Sequence, residues 1–436
     1  MKSQSMKNVW ISGVILIIFF VAIQDQAFAR VARTSKAKRG SQEARKHPVS
    51  EKSQTGQAAQ TTEGPLQCDA QSAVLMDGLT GQVLYAQNPD LRIAPASFVK
   101  VLTLYVVFDA IRAGQLKMDD MVTVSENAWK RAYKTDSSKM FIRVGDRVKV
   151  EDLIKGVAIA SGNDACVALA EHLAGTEETF VSKMNEKARL LKLIHSQFRN
   201  SDGLPAEDQY ITAMDMATLS RRYIEEHPEA LSIHSTTEFL YNGIRQGNRN
   251  TLLYKNIGVD GLKTGHVQES GYHLTATAKR GDQRMIAVVM GCEKVRKRGP
   301  EAEKLLDYGF KNFSTVEAVK KGDSFGPLMV KRGKVKEVLL ASAGGVRVTV
   351  AKGKEKAISV NPQLPPFVTA PVRKGQVLGK ALVQSEGKGV AEVNLVSSSE
   401  IAKSLLPPWP FLIGGIVGLA IIGLIGFWWF RRPKQY

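Results

Sequence analysis

Pro95-Ala-Ser-Phe-Val-Lys100 runs straight into the apolar stretch Val101–Val107, and the fold and the chemistry are both read outward from it. On a helix, residues three apart share a face, so the Lys100 amine lies within reach of the Ser97 hydroxyl. At a helix start that hydroxyl also sits at the positive end of the backbone dipole, where main-chain N–H groups can receive an oxyanion. Spacing alone decides nothing: Ser35-Lys-Ala-Lys38 repeats it in a polar stretch, and Ser97 would serve as well as a helix N-cap. The setting separates the two. An apolar helix desolvates Lys100 and lowers its pKa toward that of a usable base, whereas Lys38 stays solvated and charged.

Downstream, Ser161-Gly-Asn163 lies between the apolar Val157–Ala160 and the helical Asp164–Ala174. A hydroxyl and an amide on a loop between two helices can point into a cleft, one relaying a proton and the other holding a substrate amide. Capping competes as an explanation here too. Ser125-Glu-Asn127 has the same pattern but charged surroundings, for which a turn or an N-cap is sufficient. Lys263-Thr-Gly265 stands inside Val259–His266, just before the strand-like Gly271–Ala278. An edge strand beside a pocket offers its backbone to an extended peptide, Gly265 permits close approach, and Lys263 attracts a carboxylate. Alone, it would read as a solvated lysine in a strand.

Ser-x-x-Lys, Ser-x-Asn and Lys-Thr-Gly occur here in the order found in penicillin-binding proteins and class A β-lactamases. With Met140-Phe-Ile-Arg-Val-Gly145, Leu153-Ile-Lys-Gly156, Ser161-Gly-Asn-Asp-Ala165, Asn248-Arg-Asn250 and Asp260-Gly-Leu-Lys-Thr-Gly-His266, residues from about 65 to 400 resemble the low-molecular-mass penicillin-binding proteins of the D-alanyl-D-alanine carboxypeptidase family, within the serine β-lactamase-like superfamily. The resemblance implies an α+β catalytic domain, an antiparallel sheet with helices, followed by a small all-β sandwich. It implies a serine peptidase that removes the terminal D-alanine from peptidoglycan stem peptides ending in D-Ala-D-Ala, and that β-lactams acylate. By the same resemblance Ser97 is the nucleophile, Lys100 its base, and Ser161 the relay to the departing D-alanine. Asn163, Lys263, Thr264, Gly265 and His266 line the substrate site, with the oxyanion on the backbone N–H groups of Ser97 and His266. Val267 departs from the family, where Thr usually follows that histidine. Rival readings are a D,D-endopeptidase, a β-lactamase, for which no convincing Glu-x-x-x-Asn element is found, and a non-catalytic wall-binding or sensor protein.

The chain texture agrees with two domains, as 436 residues allow. Ser72-Ala-Val-Leu-Met76 and Gly81-Gln-Val-Leu-Tyr85 flank Asp77-Gly78 as in a hairpin. Helical segments are expected over 98–113, 150–160, 165–174 and 178–193. Strand texture returns at 271–278 and 285–289, around Arg280-Gly-Asp282, so the sheet should be built from both ends of a domain spanning 65–313. From 314 to 403, short Val-rich runs broken by Gly and Lys read as all-β.

The two ends point to export. Lys2, Lys7, the apolar run Val9–Ile23 and Ala27-Phe-Ala29 have the layout of a signal peptide over 1–29. Residues 30–64, poor in large apolar side chains, read as a flexible basic linker. Phe411–Phe430 carries no charge and precedes Arg431, Arg432 and Lys434, which reads as a transmembrane helix with residues 431–436 in the cytoplasm and the catalytic domain outside the cytoplasm. The net charge of +18 is concentrated away from the catalytic part: 65–315 carries +1 and 316–403 carries +8. Anionic lipid or wall polymer explains that surplus better than nucleic acid does in an exported protein, and the β domain could also dock cell-wall proteins. Seven histidines and three cysteines form no metal-ligand spacing, so neither metal nor cofactor is expected. The apolar surroundings of Cys166 and Cys292 favour buried thiols over a disulfide.

Overall fold

The structure, a computed structural model, describes residues 66–134, 137–404 and 409–431. The expected signal peptide at 1–29, the linker at 30–64 and residues 432–436 of the tail lie outside the described residues.

Strands Ser72–Asp77 and Val83–Gln87 form the expected antiparallel hairpin, with Asp77 Oδ1 accepting the N–H groups of Leu79 and Thr80 at 2.8 Å each across the turn. Three later strands, Val259–Val267, Gly271–Arg280 and Gln283–Cys292, form a meander. The sheet closes because Ser72–Asp77 pairs with Gln283–Cys292 in the register Ser72↔Met290 to Asp77↔Met285. The five-stranded order therefore places Val83–Gln87 at one edge and Val259–Val267 at the other.

Alternate residues of the central strands serve opposite cores, as the period of two requires. Val74, Met76, Ile286, Val288 and Met290 join a helical core that contains most of helix Val99–Arg112. Ala73, Leu75, Ala287 and Val289 face helix Arg298–Asn312 through Ala302, Leu305, Leu306 and Phe310. Helix Val99–Arg112 is buried around nearly its whole circumference, which is why its sequence shows no polar face.

One expected helix is divided. Residues 150–160 begin as an α-helix over Val150–Lys155 and widen into a π-type turn over Gly156–Ala160, which ends on Ser161 in the left-handed region at φ 62°. Gly156 is required there by close packing, since a Cβ would come within 2.3 Å of Met140 Sδ. Such bulges recur at functional sites because they re-aim the residue that follows.

After Phe313 the chain is β-rich. Strands Phe313–Val319 and Val346–Ala351 pair in one sheet, and a second sheet orders Ile358–Gln363, Val377–Ser385, Lys388–Ser397, Glu337–Ser342, Ser324–Lys331 and Val368–Thr369. Val319, Val348 and Val350 of the first share one apolar core with Leu328, Leu340, Ala381 and Leu395 of the second. This domain is tied to the hairpin turn of the first sheet by Thr315 Oγ1 donating to Asp77 Oδ2 and by a 2.7 Å hydroxyl contact between Thr80 and Thr349.

A helix forms over Trp409–Phe430. Among the described residues no helix is long and apolar enough to cross a membrane, so the transmembrane span of 411–430 expected from the sequence is not found there.

Candidate active site

Ser97 lies in a single 3-10 turn, Ala96–Phe98, at the head of helix Val99–Arg112, and Lys100 follows one turn later on the same face. The Lys100 side chain is fully buried, and its amine makes three contacts: Ser97 Oγ at 3.1 Å, Asn163 Oδ1 at 2.7 Å and the Asp202 main-chain carbonyl. The amide oxygen and the carbonyl can only accept. They engage two N–H groups, so a neutral Lys100 has its lone pair left for the Ser97 hydroxyl. Burial lowers the Lys100 pKa; Cys166, Asp202 and Asp164 oppose that shift, while Arg249 reinforces it.

Ser161, re-aimed by the widened turn, donates from Oγ to Ser97 Oγ at 3.0 Å. Asn163 opens helix Asn163–Ala174, and its main-chain N–H is held by the Ser138 carbonyl at 2.8 Å. Asp164 then fastens the segment across from it, accepting the N–H groups of Met140 at 2.8 Å and Phe141 at 3.1 Å.

Strand Val259–Val267 brings Lys263, Thr264, Gly265 and His266 along the sheet edge beside the Ser97 turn. A Cβ on Gly265 would meet Ala96 Cβ and His273 Cδ2, each at 3.2 Å, so the strand lies against that turn as closely as glycine allows. His266 is exposed and stacked on Tyr272, with ring centroids 4.1 Å apart. Lys263, only 3% exposed, makes a 3.4 Å contact with the Thr264 carbonyl. Its pKa falls well below the usual lysine value, first through burial and then through Lys100 and Arg249. The sequence casts Lys263 as a carboxylate anchor; burial and the nearby Lys100 charge make it less basic than an ordinary lysine, and two guanidinium groups stand in the same cleft.

Those groups are Arg249 and Arg298, neither singled out by spacing. Ser97, Ser138, Ser161, Asn163, Asp202, Thr264, Gly265, His266, Arg249 and Arg298 line one cleft of about 250 Å³. Arg249 donates to Ser138 Oγ at 2.6 Å, and Arg298 to the Gly265 carbonyl at 3.3 Å. The signal for Arg249 was its flanking asparagines: Asn250 Oδ1 caps the Leu252 N–H at 3.2 Å and its amide reaches the Gly261 carbonyl at 3.0 Å, fixing the segment. Arg298 starts a helix remote in sequence, and nothing local marks it. Ser125 of the rival Ser125-Glu-Asn127 is instead a helix N-cap, accepting the Ala128 N–H at 3.0 Å.

Elsewhere, Asp109, Glu226 and His227 converge in the manner of a metal site, but the Lys187 ammonium already fills the space, 2.9 Å from Asp109 and 3.3 Å from Glu226. Cys68, Cys166 and Cys292 are all free and buried.

Residues 58–294 match the family described as D-alanyl-D-alanine carboxypeptidase, and residues 313–403 match the penicillin-binding protein 5 C-terminal domain. The chain belongs to the D-alanyl-D-alanine carboxypeptidase family. D-alanyl-D-alanine carboxypeptidase DacC of Escherichia coli is 43% identical over 78% of this chain and 86% of its own length. Penicillin-binding protein 5 of Haemophilus influenzae, at 40% identity, superposes with a TM-score of 0.74 over 78% of this carboxypeptidase and 100% of that chain. Penicillin-binding protein D2 of Listeria monocytogenes in its ampicillin-bound form, at 30% identity, covers 57% of this carboxypeptidase and 100% of that chain, with a TM-score of 0.52. The carboxypeptidase is accordingly a peptidase and a hydrolase that acts at D-alanyl-D-alanine termini.

Proposed function

We propose that Ser97 attacks the carbonyl joining the last two D-alanines of a peptidoglycan stem peptide and carries the acyl group. Neutral Lys100 takes the hydroxyl proton, and the tetrahedral oxyanion falls to the backbone N–H groups of Ser97 and His266. Ser161 passes the proton to the departing amine, and D-alanine leaves. Lys100 then activates water, which releases the shortened peptide and restores Ser97. Arg249 and Arg298, assisted by Lys263 and Thr264, bind the terminal carboxylate, with Asn163 orienting the acyl side. The observation that carries this reading is the Lys100 amine fixed between two pure acceptors with Ser97 as its remaining partner. A β-lactam, a strained amide beside a carboxylate, is expected to acylate the same hydroxyl, in keeping with the ampicillin-bound relative.

The test is mass spectrometry of a muropeptide pentapeptide incubated with the enzyme, alongside labelling by a fluorescent penicillin. Loss of one D-alanine and labelling of the unsubstituted enzyme, both abolished in Ser97→Ala, are the expected results. Labelling that persists in Ser97→Ala removes Ser97 from the mechanism.

We further propose that the chain is exported and held in the membrane by its C-terminal helix, with the catalytic domain outside the cytoplasm. In support, the helix Trp409–Phe430 has 22 residues and no charged side chain, about 33 Å at the α-helical rise, and is followed by Arg431, Arg432 and Lys434. The +8 of residues 316–403 suits an anionic lipid surface or wall polymer, and the same domain is the surface on which cell-wall proteins would dock. Full-length enzyme is expected to stay with membranes through alkaline carbonate washing and a chain ending at Ser404 to wash off; equal release of both overturns the anchor.

A further inference from the structure

Behind the base, three charged side chains from separate segments meet. Arg131, on helix Glu126–Tyr133, pairs through Nη1 with Asp202 Oδ2 at 3.2 Å and through Nη2 with Glu177, the first residue of helix Glu177–Leu190. The Asp202 side chain is fully buried. Glu177 also grips the residue before Asp202: its Oε1 accepts the Ser201 main-chain N–H at 2.9 Å and the Ser201 hydroxyl at 2.7 Å. From the other side Thr103, three residues beyond Lys100 on the same helix, donates to the Ser201 carbonyl at 2.6 Å. The carbonyl that follows in the chain, that of Asp202, is the one that accepts from Lys100.

Burying two carboxylates and a guanidinium is a poor way to gain stability, since well-packed apolar groups of similar size do as well or better. What the arrangement supplies is a main-chain carbonyl held at a fixed place. Deepening the reading of Ser97 and Lys100 given above, on which it rests, we propose that Arg131, Glu177 and Asp202 are positioning residues. They hold the Asp202 carbonyl against the Lys100 amine and so aim its lone pair at the Ser97 hydroxyl. Asn163 fixes one N–H of the amine, and this network fixes the other.

The charges set a signature that a merely structural role would not give. Around Lys100 stand Asp202, Asp164, Cys166, Arg249 and Lys263; around Arg131 stand Asp202 and Glu177. The Asp202 carboxylate favours protonated Lys100. Removing it moves the acid limb of the rate profile to lower pH, and removing Arg131, which leaves both carboxylates uncompensated, moves that limb to higher pH.

The experiment measures the acylation rate of the full chain by fluorescent penicillin across pH 5–10, with thermal unfolding to confirm folded protein. Asp202→Asn and Arg131→Met are each expected to slow acylation about 10- to 100-fold, the scale on which a misplaced group acts. Their acid limbs are expected to shift in opposite directions, and Arg131→Lys to recover most of the rate. Folded Asp202→Asn that acylates within twofold of the unsubstituted enzyme, with its acid limb unmoved, overturns the proposal. If Arg131→Met does not fold, the near-isosteric Asp202→Asn decides alone. Absence of labelling in the unsubstituted enzyme would instead strike the reading of Ser97.

Discussion

A charged amine out of water costs several kcal/mol unless paired, and the Lys100 amine contacts a hydroxyl, an amide oxygen and a carbonyl, none of them a carboxylate. That environment lowers the pKa of a residue ordinarily protonated at neutral pH, which supports its proposed role as the base. Lys100→Ala is expected to lower acylation by about 10²- to 10⁴-fold, the usual range for a lost general base, with the protein still folded. A thermal melt beside the labelling rate checks both halves. Two buried histidines make a separate prediction. His234, between the Tyr223 hydroxyl and the Leu262 carbonyl, and His273, which accepts the Gly291 N–H at 2.9 Å, are each pushed down to about 4, chiefly by burial. The unfolded chain binds their protons from about pH 6.5 downward while the fold refuses them until about 4. Stability is therefore whole above pH 6.5 and is lost as pH falls through that window, by about 3 kcal/mol per histidine. Denaturant midpoints at pH 7 and pH 5 test this; midpoints that coincide refute it.

Elements position these residues through a few close approaches. Gly203 has φ 85°, and a Cβ there would fall 1.8 Å from the Ala96 carbonyl oxygen, so only glycine lets the segment that carries the Asp202 carbonyl lie on the Ser97 turn. Gly203→Ala is expected to cost more than about 1 kcal/mol and to depress acylation together with stability. At the head of helix Asn163–Ala174, Asp164 accepts N–H groups from Met140, Phe141 and Ala165. Asp164→Ala leaves buried donors unmet, at about 1–3 kcal/mol, and frees the segment 140–142 that packs against Gly156. Urea midpoints for the two variants check both costs.

For the whole molecule, Ser97 and the two cleft arginines belong to the catalytic domain, and the β-rich domain meets that domain at the hairpin turn. Asp77 is one point of the joint, capping the turn and receiving the Thr315 hydroxyl, beside the Thr80–Thr349 contact and the bonds of Lys352 to the Phe310 and Asn312 carbonyls. Asp77→Ala is expected to loosen the junction, read as faster proteolysis near residue 313, while D-alanine release stays within about twofold because no cleft residue depends on it. A parallel loss of activity would show that the second domain acts on the site.

Some of this was legible in the linear chain because it is local. Ser97 and Lys100 share a helix face whatever surrounds them, the hairpin around Asp77 is written in alternating residues and turn chemistry, and Lys263-Thr-Gly265 lies on one strand. Spacing could not give the lowered basicity of Lys263, the two arginines of the cleft, or the Arg131–Asp202–Glu177 network. Those follow from burial and from chain segments tens to hundreds of residues apart, and dielectric environment is a property of the packed interior rather than of neighbours in sequence. The sequence by itself determined which groups could react. Only the tertiary structure, by desolvating Lys100 and setting two fixed acceptors on its amine, decided which way the lone pair points.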